Sequence, residues 1–294
     1  MSSMAAKPEG YSRMNDSNGN RAASLFDLKG RVAVVTGGGG LLGYYHGDIL
    51  ASAGAHVALL DLPVASPAAR AKQLTETHFV ECIGLCADIT DEASLLEASN
   101  QIVSAFGRID ILINNAANNP KVEDSKGASW SRLENFPLEV WDADIRVGLT
   151  GAFLCSRVFG AQMVKRKSGV IVNVASDLAV IAPDQRLYRV DGLPEESQPV
   201  KPVTYSVVKT ALLGLTRYLA TYWADANIRV NAISPGGVFN NQPDLFMDRL
   251  KQLIPMKRMA NRDEYQGAIL FLCSDASSYM TGSNLIVDGG RSCL

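Results

Sequence analysis

From Gly30 onward, short apolar runs rich in β-branched residues alternate with longer stretches of helical spacing. In Arg31–Thr36, Val32, Ala33, Val34 and Val35 follow one another with no polar position between them. Such a strand is covered on both faces, as strands of parallel sheets are. Comparable runs recur at His56–Leu60, about Val80–Cys86, Ile109–Ile113, Gly169–Val174, Ile228–Ile233 and Asn284–Val287. Helical patterns fill the intervals, the first running from a glycine-rich turn through Ala53. This alternation predicts an α/β fold, a single doubly wound parallel sheet with helices on both faces. No linker, repeat or composition shift divides the chain. One domain is expected over residues 28–294, after a polar, small-residue tail at 1–27 expected to be disordered. Two polar segments look like insertions, residues 118–136 and 183–202, and loops of such length are often functional.

Composition narrows the class. Of 294 residues, 47% are hydrophobic and 20% charged, enough for a sizeable core and an ordinary soluble surface. A net charge of −2 gives no reason to expect nucleic acid or an anionic membrane as partner. No apolar run in the sequence approaches the roughly 18 residues of a membrane span. The five cysteines, Cys82, Cys86, Cys155, Cys273 and Cys293, form no metal-type pattern and read as ordinary core thiols of a reducing cytoplasm. His46, His56 and His78 are scattered and read as structural.

Candidate chemistry collects just beyond the strand C-termini, the edge where open α/β sheets bind ligands. After the first strand comes Thr36-Gly37-Gly38-Gly39-Gly40-Leu41-Leu42-Gly43. A glycine turn entering a helix brings backbone amides close to a pyrophosphate, the Rossmann-type arrangement. Gly37 and Gly43 suit the tight turn and close helix–strand packing. Asp61, at the end of the second strand, fits a carboxylate accepting hydrogen bonds from adenosine ribose hydroxyls. It repels a 2′-phosphate, and no basic neighbour is present to hold one, so NAD is expected over NADP.

Downstream, Ser176 follows the fifth strand, and Tyr205 and Lys209 stand four apart in a helical stretch. Positions i and i+4 share a helix face, so an ammonium can sit beside the phenol. A nearby positive charge favours phenolate, turning the tyrosine into a proton-transfer group.

Taken in order, these segments resemble the short-chain dehydrogenase/reductase family in its classical branch, over about residues 28–292. The matching motifs include Thr36–Gly43, Ala87-Asp88, Asn114-Asn115-Ala116, Asn173–Ser176, Tyr205–Lys209, Pro235-Gly236-Gly237 and the closing Val287-Asp288-Gly289-Gly290. The resemblance implies NAD(P)-dependent interconversion of a secondary alcohol and a ketone, in a homotetramer or homodimer. It assigns Ser176 to the substrate oxygen, Tyr205 to acid/base work, and Lys209 to both tyrosine activation and the nicotinamide ribose. For the cofactor it implies Thr36, Gly37, Gly40, Leu42, Gly43 and Asp61, with Asp88 and Ile89 at the adenine. Asn114, Asn115 and Ala116 would line the adenosine side, and Pro235, Gly236 and Val238 the carboxamide.

Four departures stand out. Leu41 replaces a usual glycine, leaving a Gly37, Gly40, Gly43 spacing similar to the extended, sugar-nucleotide branch. Gly148 occupies the position of the family's catalytic asparagine, keeping a carbonyl but no side chain. Ser176 and Tyr205 are 29 residues apart, more than twice the family's usual interval, although Tyr188 lies nearer that interval with Gly192 at its i+4 position. Asn240 stands where a threonine is common.

The insertions should flank the site mouth with Asn118, Asn119, Lys121, Arg186 and Arg189, of which Asn118, Arg186 and Arg189 are the substrate candidates. Such polarity suits a polyol, sugar or sugar phosphate. The segment around the second insertion also resembles dehydrogenases of bacterial surface-sugar or flagellin-glycan biosynthesis. Two other readings stay open: a sugar-nucleotide epimerase or dehydratase with retained NAD, and a noncatalytic NAD-binding protein.

Overall fold

The structure, a computed structural model, describes residues 21–118 and 129–294. The expected tail therefore lies outside the described residues as far as residue 20. Its remainder holds one helical turn, α1 (Arg21–Ser24), before Leu28 enters the core fully buried. Seven parallel strands follow: β1 (Val32–Thr36), β2 (His56–Asp61), β3 (Cys82–Cys86), β4 (Ile111–Asn114), β5 (Gly169–Val174), β6 (Ile228–Pro235) and β7 (Asn284–Val287). They form one sheet in the order β3-β2-β1-β4-β5-β6-β7. All seven expected strands are present, with ends differing by one or two residues.

The continuous apolar runs are explained by the two cores. Along β1, Val32 and Val34 enter one layer, while Ala33 and Val35 enter the other. Because strand side chains alternate in direction, burial on both faces requires an apolar residue at every position. The first layer is closed by α4 (Glu92–Phe106), α6 (Gly151–Arg166) and α7 (Val203–Tyr222), through Leu95, Ile102, Phe159 and Leu219. The second is closed by α2 (Leu41–Ser52), α3 (Pro67–His78) and α9 (Gln266–Cys273), through Leu50, Leu74 and Ile269. Between α4 and α6 lies α5 (Leu138–Ile145), and α8 (Asp244–Gln252) follows β6.

Helix α5, one π-type turn at Arg146–Thr150 and α6 make a continuous run of 29 residues, Leu138–Arg166. By length and composition this run could cross a bilayer, which corrects the expectation from the sequence. More than half of its most apolar window, 56%, is buried inside the fold, as befits a core helix.

The direction of the chain reverses between β1 and β4, and this opens a crevice at the strand C-termini. Beneath it, Asn114 and Asn173 are register partners on β4 and β5. Asn114 Nδ2 donates to Asn173 Oδ1 at 2.8 Å and to Ser156 Oγ at 3.1 Å. Asn173 Nδ2 in turn donates to Thr216 Oγ1 at 2.8 Å, so two strands and two helices share one buried polar chain.

Of the cysteines, Cys155 and Cys273 are core thiols, whereas Cys86 and Cys293 are exposed and Cys82 is half-buried. His56 stacks on Phe106 and His78 Nε2 lies 2.7 Å from Asp48. His46 on α2 is fully buried, and neither ring nitrogen has a hydrogen-bond partner. Burial lowers its pKa to about 4. The unfolded chain therefore takes up this proton first as pH falls. Stability from this site should be intact above about pH 6.5 and drain as pH drops toward 4, by roughly 3 kcal/mol in all. Urea midpoints at pH 7.5 and pH 5 should show a loss in the native protein that His46→Leu reduces.

Candidate active site

The crevice is a cavity of about 730 Å³ running along the C-terminal edge of the sheet. At one end lie Gly37, Gly40, Leu42, Asp61, Asp88, Ile89, Asn115 and Ala116. At the other lie Ser176, Tyr205, Lys209, Pro235, Gly236, Val238 and Asn118.

The glycine turn needs its glycines. Gly37 has φ of 63°, and a Cβ there would sit 2.9 Å from Asn115 Nδ2. A Cβ on Gly43 would meet the Gly37 carbonyl oxygen at 2.0 Å, so only glycine lets α2 begin this close to β1. Asp61 braces the turn: Oδ2 accepts from the Gly39 amide at 2.9 Å and Oδ1 from the Leu62 amide at 2.8 Å. A carboxylate has about four lone-pair sites, so capacity for two ribose hydroxyls remains. The open cradle over the turn, with Asp61 beyond it, fits a dinucleotide.

Three expected cofactor contacts stand behind the wall instead. Thr36 is buried, and its Oγ1 accepts from the Asn115 and Ala116 amides at 3.0 and 3.1 Å, joining the first turn to the β4 loop. Gly43 is consumed by packing on Gly37, and Asn114 by the polar chain beneath the cleft.

At the other end, β5 delivers Ser176 and α7 presents Tyr205 and Lys209. Ser176 Oγ donates to Asp177 Oδ1 at 2.9 Å, accepts from the Leu178 amide at 3.2 Å, and is hydrogen-bonded with Tyr205. Asp177 is itself held by Arg291 at 2.7 Å, with both side chains almost fully buried. Lys209 Nζ donates to the Val174 carbonyl at 2.7 Å and lies 6.0 Å from the Tyr205 ring centre.

The electrostatics differ from the expectation of a tyrosine drawn toward neutrality. Burial raises the Tyr205 pKa above the ordinary phenol value, and the Asp177 charge adds to this, while hydrogen bonding with Ser176 opposes both. Burial also brings Lys209 down to about 8, with the positive charge of Lys201 contributing. Without ligands, then, the phenol holds its proton, the form that donates to a carbonyl oxygen.

The long interval before Tyr205 is well ordered. Gln198 staples the second insertion, accepting from the Val190 amide at 2.9 Å and donating to the Val190 and Leu193 carbonyls. Leu187 packs on Leu250, Ile254 and Met259, bringing Asp184 and Tyr188 to the cleft wall. Tyr188 packs against Phe246 rather than beside Ser176. Arg186 and Arg189 do not line the cleft. Their nearest acids claim them: Arg186 pairs with Asp184 at 2.6 Å and Arg189 with Glu195. Asn119 and Lys121 lie outside the described residues.

Missed from the sequence were Asp177, Arg291, Asp184, Lys201, Asn241 and Gln242, all in the cleft lining. Only Lys201 carried a usable signal, a lysine four residues before Tyr205 that mirrors Lys209 four residues after it.

Gly148 lies in the π-type turn. A Cβ there would stand 2.5 Å from Val208 Cγ1, so Val208 takes the volume an asparagine side chain would need. Beside it, Asp144, Gly148, Thr204, Tyr205 and Lys209 help enclose a space of about 10 Å³, room for one water.

Comparison with known proteins agrees with this geometry. The short chain dehydrogenase family model matches residues 31–188, and the enoyl-(acyl carrier protein) reductase model residues 195–292. The chain is 33% identical to D-threitol dehydrogenase of Mycolicibacterium smegmatis, over 90% of this chain and 94% of that one. It is also 33% identical to an NAD-dependent glycerol dehydrogenase of Listeria innocua, over 90% and 95%. A gluconate 5-dehydrogenase from Burkholderia cenocepacia, solved with NADP and tartrate, superposes with a TM-score of 0.81 at 27% identity, covering 93% of this chain and 99% of that one.

Fold and cleft together define an NAD(P)-dependent oxidoreductase acting on CH–OH groups of small molecules. The chain belongs to the short-chain dehydrogenase/reductase family.

Restoring the asparagine should harm this protein. Gly148→Asn is expected to lose about 1–3 kcal/mol through overpacking against Val208. Urea denaturation should show Val208→Ala recovering part of that loss in the double variant.

Proposed function

We propose that this enzyme oxidises a secondary hydroxyl of a polyol or sugar-like substrate, reversibly, with NAD preferred over NADP. The observation that carries the reading is the meeting of Ser176, Tyr205 and Lys209 at one end of a cleft whose other end holds Asp61 and the glycine turn. Asn118, Asp184, Asn240, Asn241 and Gln242 line the wall near the three, offering hydrogen bonds to a hydroxyl-rich chain. The threitol and glycerol relatives support the same substrate class.

In this mechanism the amides of the glycine turn and the start of α2 hold the pyrophosphate. Asp61 takes the ribose hydroxyls, Asp88 and Ile89 the adenine, and Asn115 and Ala116 the wall between. Lys209 holds the nicotinamide ribose, and Pro235, Gly236 and Val238 the carboxamide. The bound nicotinamide accepts or gives the hydride. Tyr205 exchanges the hydroxyl proton with the substrate, and Ser176 holds the oxygen as it becomes a carbonyl. To do so, Ser176 must turn its proton from Asp177 toward the substrate. The Lys209 ammonium favours the phenolate needed for oxidation, against the burial that favours the acid.

NAD preference follows from Asp61, because its carboxylate repels a 2′-phosphate and no lysine or arginine lines that end of the cleft. We further propose a cytoplasmic homotetramer or homodimer. The exposed Tyr218 and Tyr222, stacked on the outside of α7, give a second copy an apolar face to cover.

Among the described residues, everything after Lys209 builds the same sheet and its flanking helices, leaving no separate substrate domain for an epimerase-type reading. A panel of polyols, sugars, sugar acids and lipophilic alcohols with NAD and NADP tests the proposal. Turnover confined to lipophilic alcohols would reject the substrate class. Tyr205→Phe should lose at least 100-fold in turnover, on the order expected for a general acid/base, while still binding NAD in a fluorescence titration. Asp61→Ser should raise the KM for NAD about tenfold or more and narrow the gap to NADP, since both hydroxyl acceptors and the repelling charge are lost.

A further inference from the structure

The proposed mechanism leaves one buried cation of the cleft unused. Lys201 is the next-to-last residue of the second insertion and directly precedes Pro202, which caps α7. Its backbone amide donates to Gln185 Oε1 at 2.8 Å, tying the end of the insertion to its beginning. From there the side chain turns into the cleft, and Nζ lies 3.8 Å from the centre of the Tyr205 ring. Lys209, four residues after the tyrosine, is farther away at 6.0 Å. The ammonium nearest the phenol ring therefore comes from the insertion.

An ammonium over an aromatic face is attracted by the ring's electron density. Losing the phenolic proton spreads negative charge into that ring, so the attraction grows as phenol becomes phenolate. An opposite charge within about 4–6 Å of an acid commonly lowers its pKa by one to three units.

The other charged and titratable groups facing the pair do not cancel this effect. Lys209 on α7 has the same sign. Asp177, after β5, is neutralised by Arg291 at 2.7 Å, and Asp144 on α5 accepts from Thr204 Oγ1 at 2.5 Å. Tyr265, before α9, donates to the Gly236 carbonyl at 3.1 Å and, with its own pKa raised by burial, stays neutral.

We propose that Lys201 is a positioning residue for the Tyr205 proton: its ammonium on the ring face stabilises the phenolate and sets the pH at which the alcohol-oxidising form is populated. Burial brings Lys201 itself down to about 8, with Asp177 and Asp144 holding it up. Its charge is full below that pH and fades above it, so lysine and tyrosine titrate as a coupled pair. Arginine at this position would stay charged throughout.

The inference rests on Tyr205 as the acid/base group but not on the identity of the substrate. The test compares Lys201→Met with Lys201→Arg in the cofactor-bound enzyme. Ultraviolet difference titration, each protein referenced to its own Tyr205→Phe counterpart, isolates this phenol among the nine tyrosines. Lys201→Met should raise the phenol pKa, and the acid limb of kcat/KM for oxidation, by about one unit. Below that limb activity should fall about tenfold at fixed pH. Lys201→Arg should restore both to the native value or below. An unchanged phenol titration in Lys201→Met overturns the proposal, as does an equal shift in both variants. A higher KM with an unmoved pH profile also overturns it, assigning the lysine to substrate binding instead. If no polyol is turned over but the phenol titration moves as described, the substrate reading fails and this inference stands.

Discussion

Every strand of the sheet runs in the same direction, and the rest of the molecule follows from that constraint. Parallel neighbours cannot be joined by tight hairpins, so each must be linked by a crossover, in most cases through a helix packed on one face. Burial on both faces then demands an apolar residue at nearly every strand position. Polar residues are admitted only where partners are guaranteed, as with Asn114, Asn173 and Thr216. Chemistry is thus displaced to the strand ends, where Asp61, Ser176 and Pro235 are gathered from distant parts of the sequence.

Collecting charges in a buried crevice has its own cost, visible in the direction of each titration. Withdrawal from water raises Tyr205 and lowers Lys201 and Lys209, so each is pushed toward its neutral form. Phenolate and ammonium are each disfavoured alone and supported together. Such a site responds strongly to a ligand that changes its water content or its charge, because opposing effects are nearly balanced within it.

Much of this was legible in the sequence. The seven strands could be read because a doubly covered strand leaves an unbroken apolar run. Ser176, Tyr205 and Lys209 could be read because their residue types and helical spacing carry a chemical meaning of their own. What escaped were pairings between distant segments. Nothing local in Arg291 announces that it reaches Asp177, 114 positions earlier. Arg186 and Arg189 looked available because their partners, Asp184 and Glu195, are also loop residues, and only the folded insertion shows them spent on each other. Thr36 and Gly43 were placed at the right turn but on the wrong side of it, since a linear motif does not distinguish lining from bracing.

The contact between Arg291 and Asp177 links two regions that appear unrelated along the chain. Arg291 follows β7, the outermost strand, whereas Asp177 holds the proton of the serine at the centre of the cleft. Separating such a pair would strand a charge in the interior, at about 3–5 kcal/mol. Fraying at the rim of the sheet is therefore coupled to disorder in the catalytic serine. A molecule whose last strand has come loose would be switched off before it unfolded.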